Sequence, residues 1–381
     1  MMPNEFFIIA GEASGDLHAS SLVSEMKRLA PGSVFRGIGG GRMRSAGVDT
    51  TLDINDVNFI GFTSVLRNIL TIKKHLKETS DVIIRSKPAA VILVDFPGFN
   101  LRIAQRIRQA YKGKIIYYIS PQVWAWHKSR IKIMRVVLDL LIVVFPFETE
   151  FFSKEGMRSI YVGHPLVKRI DGFMSSNMRS PNAKPVISIL SGSRKSEVDA
   201  MLPVMLDSAR ELRKRFDCDI NVICAQHLPA EVYRRHTGNM NVSMVHGNDS
   251  TDANYSAILN SDLVLTKSGT STLECALLGV PFLVVYKTGA LNYMIGKRLV
   301  VVNHIAIVNI LLDKPAVKEF LQNEMTVENI VSESEKILSD KPYREKMLSE
   351  FAELRKILGS GDASLEAAKL VCSVTGIKTS D

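Results

Sequence analysis

The sequence predicts an α/β protein in which two doubly wound domains, each with a parallel sheet, follow one another. Short β-branched runs recur that are continuously apolar rather than alternating, as is typical of parallel strands buried on both faces. Helical patterns lie between these runs, and strands that alternate with helices indicate a parallel sheet. The chain has 381 residues, whereas a domain usually holds about 100 to 200, so two domains are expected.

The predicted strands form two series, separated by a Ser-, Asn- and Pro-rich stretch without periodicity. The first series comprises 6–10, 89–94, 114–119 and 140–145, and the second 186–190, 220–224, 242–245, 263–266 and 281–286. The stretch between them indicates an interdomain linker. The predicted organisation is a first domain over 1–170, a linker over 171–185, a second domain over 186–345, and C-terminal helices over 346–381 as candidates to pack back on the first domain.

Composition argues against several classes of protein. With 46% hydrophobic and 23% charged residues, disorder as the main state is not expected. The four cysteines show no metal-ligand or disulfide-framework spacing, which favours a reducing compartment. The most apolar stretch, 136–147, carries Asp139 and is shorter than the roughly 20 residues that span a bilayer. Asn4 and Glu5 precede a short apolar run, so no signal peptide is predicted.

The net charge of +9 leaves nucleic acid, anionic lipid and a phosphorylated substrate open as partners. Its distribution favours the lipid. Between Asp95 and Asp139 the chain has no acidic residue and nine basic ones, namely Arg102, Arg106, Arg108, Lys112, Lys114, Lys128, Arg130, Lys132 and Arg135. The whole excess charge therefore lies in one part of the first domain, and each basic residue near an anionic leaflet contributes about 1 kcal/mol.

Residues that follow the predicted strands are the candidates for function, because ligands of doubly wound folds bind at the carboxyl ends of the strands. After the first strand comes GEASGD (11–16), whose glycines allow a tight turn and whose amides suit an anion or a sugar hydroxyl. The alternative is a plain turn in which Ser14 caps a helix that begins near Leu17. Asp95 follows a later strand and is a credible general base, although a strand-end Asp more often only bonds the turn backbone.

Both tryptophans of the chain, Trp124 and Trp126, follow the strand 114–119 and precede a basic helix. Two indoles suit a sugar-stacking wall, and with basic neighbours also single-stranded nucleic acid. Core packing of at least one of them is the more common outcome.

Two loops of the second domain resemble phosphate-binding turns. Arg194 ends the sequence SGSR (191–194), where small residues expose amides at a helix N-terminus and a forked cation is available. The sequence KSGTSTLE (267–274) repeats the design, and Glu274 suits a ribose diol. The alternatives are a Ser-rich cap in the first loop and a capping box of Ser271 and Glu274 in the second.

These motifs together resemble the lipid-A-disaccharide synthases, a family of inverting glycosyltransferases with the GT-B fold. The resemblance runs from Phe6 to about Ala368 and rests on motifs in a fixed order: AGEASGD (10–16), DFPGFN (95–100), SPQVWAW (120–126), FPFE (145–148), VGHP (162–165), GSR with Glu197 (192–197), SGTSTLE (268–274), KRLV (297–300), Asn309 and FLQ (320–322).

The resemblance implies two Rossmann-like domains with a cleft between them. The implied reaction moves 2,3-diacylglucosamine from its UDP carrier to 2,3-diacylglucosamine 1-phosphate, with no metal and no other cofactor. It gives Asp95 the role of catalytic base and places Glu12 and Ser14 on the acceptor side. The UDP-binding residues that it implies are Arg194, Ser268, Gly269, Thr270, Ser271, Glu274, Asn309 and Gln322. His18 and His164 are reserve candidates for the base, with structural roles expected for both.

The family reading also implies a cytoplasmic enzyme held peripherally on the inner membrane, with no nucleic-acid partner and with homo-oligomerisation open. A basic amphipathic pattern over 59–77 suits either a membrane interface or a core helix. Two alternatives remain: another GT-B enzyme such as a UDP-sugar 2-epimerase, and a noncatalytic basic lipid-binding protein.

Overall fold

The computed structural model describes residues 4–57, 68–226, 228–247, 252–289 and 303–379. The chain divides into two compact units, of which the first comprises Met1–Pro165 with Ser360–Asp381 and the second comprises Leu166–Gly359. Each unit contains one wholly parallel sheet whose strands are joined by helices. The predicted α/β doubly wound class is therefore confirmed.

The first unit has a seven-stranded sheet in the order β3-β2-β1-β4-β5-β6-β7. Its strands are β1 Glu5–Ala10, β2 Val34–Gly39, β3 Val48–Asp53, β4 Ala90–Val94, β5 Lys114–Tyr118, β6 Leu140–Val143 and β7 Ile160–Tyr161. Every residue of β4 is fully buried, as the continuous apolar run predicts. The strand order reverses between β1 and β4. Because Ala10 pairs with Val94, these two strands end level and bring the turns that follow them side by side.

The helices of the first unit are α1 Ala13–Leu29, α2 Gly41–Ser45, α3 Ile54–Val57, α4 Ile69–Ser86, α5 Pro97–Ile107, α6 Arg130–Val137, α7 Pro146–Lys154 and, after the second unit, α16 Ala363–Thr375. The helix α1 begins four residues earlier than predicted. Its N-cap is Glu12, and Ser14 lies in its first turn, so the alternative in which Ser14 caps the helix is wrong. Only Gly11 and Glu12 separate β1 from α1, and Gly15 lies within the helix.

The second unit repeats the topology with six strands in the order β10-β9-β8-β11-β12-β13. They are β8 Val186–Leu190, β9 Asp219–Cys224, β10 Ser243–His246, β11 Leu263–Lys267, β12 Phe282–Tyr286 and β13 Glu319–Leu321. The helices are α8 Pro165–Ser176, α9 Lys195–Phe216, α10 Glu231–Thr237, α11 Asp252–Leu259, α12 Thr270–Leu277, α13 Ile307–Leu312, α14 Val327–Ser339 and α15 Lys341–Leu358. Here the order reverses between β8 and β11.

Two predicted segments lie differently from the simple sequence pattern. The helix α8 covers 171–176, the first part of the predicted linker. At the C-terminus, α15 belongs to the second unit, whereas α16 belongs to the first and packs against α1.

Of the amphipathic segment 59–77, residues 59–67 lie outside the described residues, as does the KRLV motif at 297–300. In the described part, Leu76 is buried and Leu70 is 78% exposed.

Within the described ranges, no helix is long and apolar enough to cross a membrane.

Candidate active site

The turn that follows β4 faces the turn that follows β1, at the point where the strand order of the first sheet reverses. Asp95 and Phe96 both adopt left-handed backbone conformations, with φ of +45° and +49°. Strain of this kind in non-glycine residues is concentrated at functional sites. The Phe96 ring presses on Gly11 so closely that a Cβ added there would lie 2.2 Å from a ring carbon. The two turns are thus in contact, which explains why GEASGD requires a glycine at its first position.

The Asp95 carboxyl group is poised to exchange a proton near neutral pH. Burial raises the pKa of Asp95 to about 7, and the charges of Glu12 and Glu148 add to the rise, while the backbone amide of Phe96 opposes it. Its own carbonyl is held by the Asn100 amide, with an Nδ2–O distance of 2.7 Å, and by a phenolic hydroxyl from β5. These two bonds hold the backbone of Asp95 in place, and the basic form of its side chain predominates only above about pH 7.

Glu148 is a buried carboxylate that links the turns after β5 and β6. It accepts hydrogen bonds from Ser120 Oγ at 2.5 Å, Trp124 Nε1 at 3.1 Å and the amides of Val144 at 3.2 Å and Phe145 at 3.1 Å. Burial raises the pKa of Glu148 to about 7, and these four donors oppose the rise. Sequence reasoning did not assign it a role, although a Glu within the otherwise apolar FPFE is a usable signal.

An aromatic row extends from Trp124 to the histidines. Trp124 packs edge-on to Phe147 with ring centroids 5.0 Å apart, and Phe145 lies 5.1 Å from His164. His18 meets His164 edge-on at 6.5 Å. Burial and the nearby His18 lower the pKa of His164 to about 3, so its imidazole stays neutral at physiological pH. This packing favours the structural roles expected for both histidines.

Of the remaining residues in the first motif, one has a clear structural role. The Asp16 carboxylate accepts the backbone amides of Gly40 at 2.6 Å, Arg42 at 3.1 Å and Met43 at 3.2 Å, and so closes the N-terminus of α2. Glu12 and Ser14 are both half-buried at the start of α1. Their predicted acceptor-side roles stay predictions, and Glu12 has the further effect on Asp95 described above.

In the second unit one carboxylate joins the two predicted phosphate loops. Glu197 Oε1 lies 3.0 Å from Arg194 Nη1 and 3.1 Å from Lys267 Nζ. Glu197 Oε2 accepts the amide of Ser193 at 3.0 Å. Arg194 and Ser193 belong to the loop after β8, whereas Lys267 ends β11. The two loops, distant in sequence, are therefore adjacent at the carboxyl ends of neighbouring strands.

The second loop is not closed by a capping box of Ser271 and Glu274, so that alternative is wrong. The helix α12 has Gly269 as its N-cap, so Ser271 already lies in its first turn. Its hydroxyl lies 2.8 Å from Thr266 Oγ1 and also bonds the Lys267 carbonyl at 3.2 Å. Gly269 and Thr270 are exposed at the start of the helix, where their amides can meet an anion.

Glu274 lies one turn further along α12 and is engaged by a neighbouring phenol. Tyr255 Oη donates to Glu274 Oε1 at 3.2 Å, and the Arg169 guanidinium stands over the Tyr255 ring at 5.7 Å. Burial raises the pKa of Glu274, while the Tyr255 hydrogen bond and the charge of Arg169 counteract the rise.

Asn309 and Gln322 both tie segments of the second unit together. Asn309 is fully buried, and its amide bonds both backbone groups of Val317 and, at 2.8 Å, Glu319 Oε1. Gln322, oriented so that both amide atoms are satisfied, pairs with the N–H and C=O of Thr288 at 3.1 Å. The nucleotide contacts predicted for these two residues stay predictions, and the bonds give each a structural role.

Comparison with known proteins identifies the family. The lipid-A-disaccharide synthetase family model matches residues 6–369. A lipid-A-disaccharide synthase of Geobacter sulfurreducens is 38% identical over 382 residues, which cover 98% of each chain. Among solved structures, a UDP-GlcNAc 2-epimerase from Neisseria meningitidis bound to UDP-GlcNAc gives a TM-score of 0.67 at 13% identity over 97% of this chain and 100% of that one. The calicheamicin glycosyltransferase CalG4 gives 0.61 at 14% identity over 99% of both chains.

The two structural likenesses establish a GT-B fold. The family model matches residues of both units, and its range includes all the motifs named above. The chain belongs to the lipid-A-disaccharide synthase family, the glycosyltransferases of lipid A biosynthesis.

Proposed function

We propose that this protein transfers 2,3-diacylglucosamine from UDP to the 6-hydroxyl group of 2,3-diacylglucosamine 1-phosphate, with inversion and without a metal. The products are the β-1,6-linked disaccharide 1-phosphate and UDP. The observation that carries the proposal is the carboxyl group of Asp95, which follows β4 at the reversal point of the first sheet and has a pKa of about 7. A single well-placed base is what an inverting transfer to a hydroxyl group requires.

In this mechanism Asp95 takes the proton of the acceptor hydroxyl as its oxygen attacks the anomeric carbon of the donor sugar. The bond between that carbon and the diphosphate oxygen breaks, and its electron pair leaves with UDP. Attack on the face opposite the leaving group inverts the configuration. Glu12 and Ser14 are the proposed acceptor-side groups.

The second unit is the proposed nucleotide site. Arg194 and the exposed amides of Gly269 and Thr270 offer a cation and hydrogen-bond donors for the diphosphate. Glu274, held by Tyr255, offers a carboxylate for the ribose hydroxyl groups. Electrostatic stabilisation of this kind lowers the barrier most when the donors are in place before charge develops.

We further propose that the protein works at the anionic cytoplasmic face of the inner membrane, because both substrates carry acyl chains. Several basic side chains of the region between Asp95 and Asp139 are exposed, namely Arg102, Arg106, Lys112, Lys114, Lys128, Lys132 and Arg135. Trp126, which is 41% exposed, lies in the same region with the Arg130 guanidinium 5.3 Å from its ring. An amphipathic indole beside cations suits a membrane interface.

The test is UDP release from UDP-2,3-diacylglucosamine by the purified chain, measured with and without the lipid acceptor. We expect release only when 2,3-diacylglucosamine 1-phosphate is present, together with formation of a disaccharide product detected by mass spectrometry. The Asp95→Asn variant is the control for contaminating activity. Release of UDP at the same rate without acceptor would instead favour the epimerase alternative. Absence of both UDP release and UDP binding would favour a noncatalytic protein.

A further inference from the structure

The carboxylate of Glu197 holds two cations, only one of which the sequence motifs single out. Arg194 is on one side of it and Lys267 on the other, at 3.0 and 3.1 Å. The side chains of Glu197 and Lys267 are 14% and 19% exposed, so their ion pair is largely shielded from solvent. Shielding strengthens the interaction and restricts where the ammonium group can lie.

The positions of two glycines show that this ion pair lies between the loop that follows β8 and the loop that follows β11. A Cβ on Gly192, whose φ is +122°, would lie 2.5 Å from Glu197 Oε2. A Cβ on Gly269 would lie 3.6 Å from the Lys267 ammonium. The ammonium therefore lies beside Gly269, the N-cap of α12, where the exposed backbone amides begin.

A buried hydroxyl at the end of β8 adds an independent observation. Ser191 is fully buried, and none of the described residues bonds its Oγ. Buried polar groups are normally satisfied. A buried hydroxyl group without a partner, in the same loop as Gly192 and Arg194, therefore indicates a site that receives a polar ligand.

We propose that Lys267 is a second cationic ligand of the donor's diphosphate, and that Glu197 is the positioning residue that holds Lys267 and Arg194 toward it. This inference rests on the proposed function in one respect, namely that the donor is a UDP-sugar.

The chemistry of the leaving group explains why two cations are useful. When the glycosidic bond breaks, the diphosphate gains a negative charge, and a cation fixed beforehand stabilises that charge without reorganisation. Arg194 with Lys267 provides two positive charges, and Glu197 leaves one of them in excess. The carboxylate also restricts the conformations of the flexible lysine side chain before the ligand arrives. Less side-chain entropy is then lost when the diphosphate binds.

The test compares the affinity of the full chain for UDP and for uridine, which lacks the phosphates. In Lys267→Met, which keeps the length of the side chain and removes its charge, UDP is expected to bind about tenfold more weakly while uridine binds as before. Lys267→Arg should restore most of the UDP affinity. Lys184→Met removes the same charge near the opposite end of β8, where the ammonium pairs with Asp217, and should leave both affinities unchanged.

Calorimetry for UDP and an NMR titration for uridine separate the outcomes. If wild-type protein binds no UDP, the proposed function fails, and this inference fails with it. If wild-type protein binds UDP and Lys267→Met binds it equally well, the inference alone is overturned.

Glu197→Gln tests the positioning role by the sign of its effect. Because the change adds net positive charge, a simple charge effect would tighten UDP binding, whereas loss of positioning weakens it several-fold. The weakening should be smaller when Lys267 is already Met, because the pair is then absent. Tighter binding in Glu197→Gln, or fully additive effects in the double variant, would overturn the positioning role.

Discussion

At the scale of single residues, the chemistry depends on carboxyl groups whose surroundings differ. Asp95 and Glu148 are both driven toward protonation by burial, but Glu148 is compensated by four donors, and those donors commit it to holding loops together. For Asp95, the backbone amide of Phe96 opposes the rise in pKa. A pKa raised to about 7 therefore belongs to a structural residue in one case and to a candidate base in the other. Their hydrogen-bond partners distinguish them, as does exposure, since Asp95 is half-buried and Glu148 is buried.

We predict that the turnover of the chain falls as pH is lowered through about 7, the pKa of Asp95, because the base is then protonated. A profile of kcat/KM against pH should bend near that value and fall about tenfold per unit below it. Asp95→Asn should lose at least about a hundredfold in kcat at pH 8. Asp49→Asn, an exposed carboxylate of the same unit, is the matched control.

The stability of the folded chain should fall as pH rises, whereas its turnover should increase. The pKa of Asp95 is higher in the folded chain than the usual 3.8, so ionising it opposes folding. The contribution of Asp95 to the free energy of unfolding is therefore most favourable below pH 4, and it is lost as pH rises toward 7. Asp95→Asn should raise Tm at pH 8 and have little effect on Tm near pH 4. A variant that is inactive and also less stable at pH 8 would indicate a structural role for Asp95.

At the scale of helices and strands, the central strands were predictable, whereas of the four edge strands only β10 was predicted. All nine predicted strands are present. Four more were missed: β2, which includes Arg36 and Gly37, the half-exposed β3, and β7 and β13 with two and three residues. Edge and near-edge strands are less fully covered, so they tolerate polar residues and lose the continuous apolar run that identifies a central strand.

The two turns at the reversal point of the first sheet allow a matched pair of substitutions. Gly11→Ala would place a methyl group against the Phe96 ring and displace the turn that carries Asp95. We expect kcat to fall more than about tenfold, with a loss of roughly 1–3 kcal/mol in stability. Gly98→Ala adds the same methyl group in the first turn of α5, shortly after Asp95, where a Cβ would meet no atom within 4 Å, and should change neither quantity much.

Steady-state kinetics and thermal melts of the two variants measure the difference. Combining Gly11→Ala with Phe96→Leu, which removes ring atoms at the contact, should recover part of the activity. Equal effects of the two alanine substitutions would refute the close contact between the turns.

At the scale of the whole molecule, the excess charge is confined to one region of the first unit. Two of its nine basic residues are neutralised locally, since Arg108 pairs with Asp139 and Lys128 with Glu155. Arg102, Lys132 and Arg135 are exposed and are therefore suitable for charge reversal.

We predict that Arg102→Glu, Lys132→Glu and Arg135→Glu together weaken binding to anionic phosphatidylglycerol vesicles by about a hundredfold or more, at about 1 kcal/mol per basic residue. The control is Lys184→Glu, Arg210→Glu and Lys341→Glu, the same charge change on exposed residues of the second unit. Sedimentation with vesicles at low and high salt measures both, and added salt should weaken wild-type binding. If the two triple variants bind alike, only the net charge matters and a localised surface is excluded.

The sequence by itself determined the fold class, the repeated strand-and-turn pattern, and the position of Asp95 and the two loops after their strands, because apolar runs and turn residues are local signals. Tertiary structure alone decided which of these groups meet. Glu148 bonds Ser120 and Trp124 across two turns, and Glu197 bonds Lys267 across two strands. Such pairings depend on strand order, and the pKa of Asp95 depends on burial and on charges from separate turns. Neither has a local signature, since desolvation and Coulomb interactions act through space rather than along the chain.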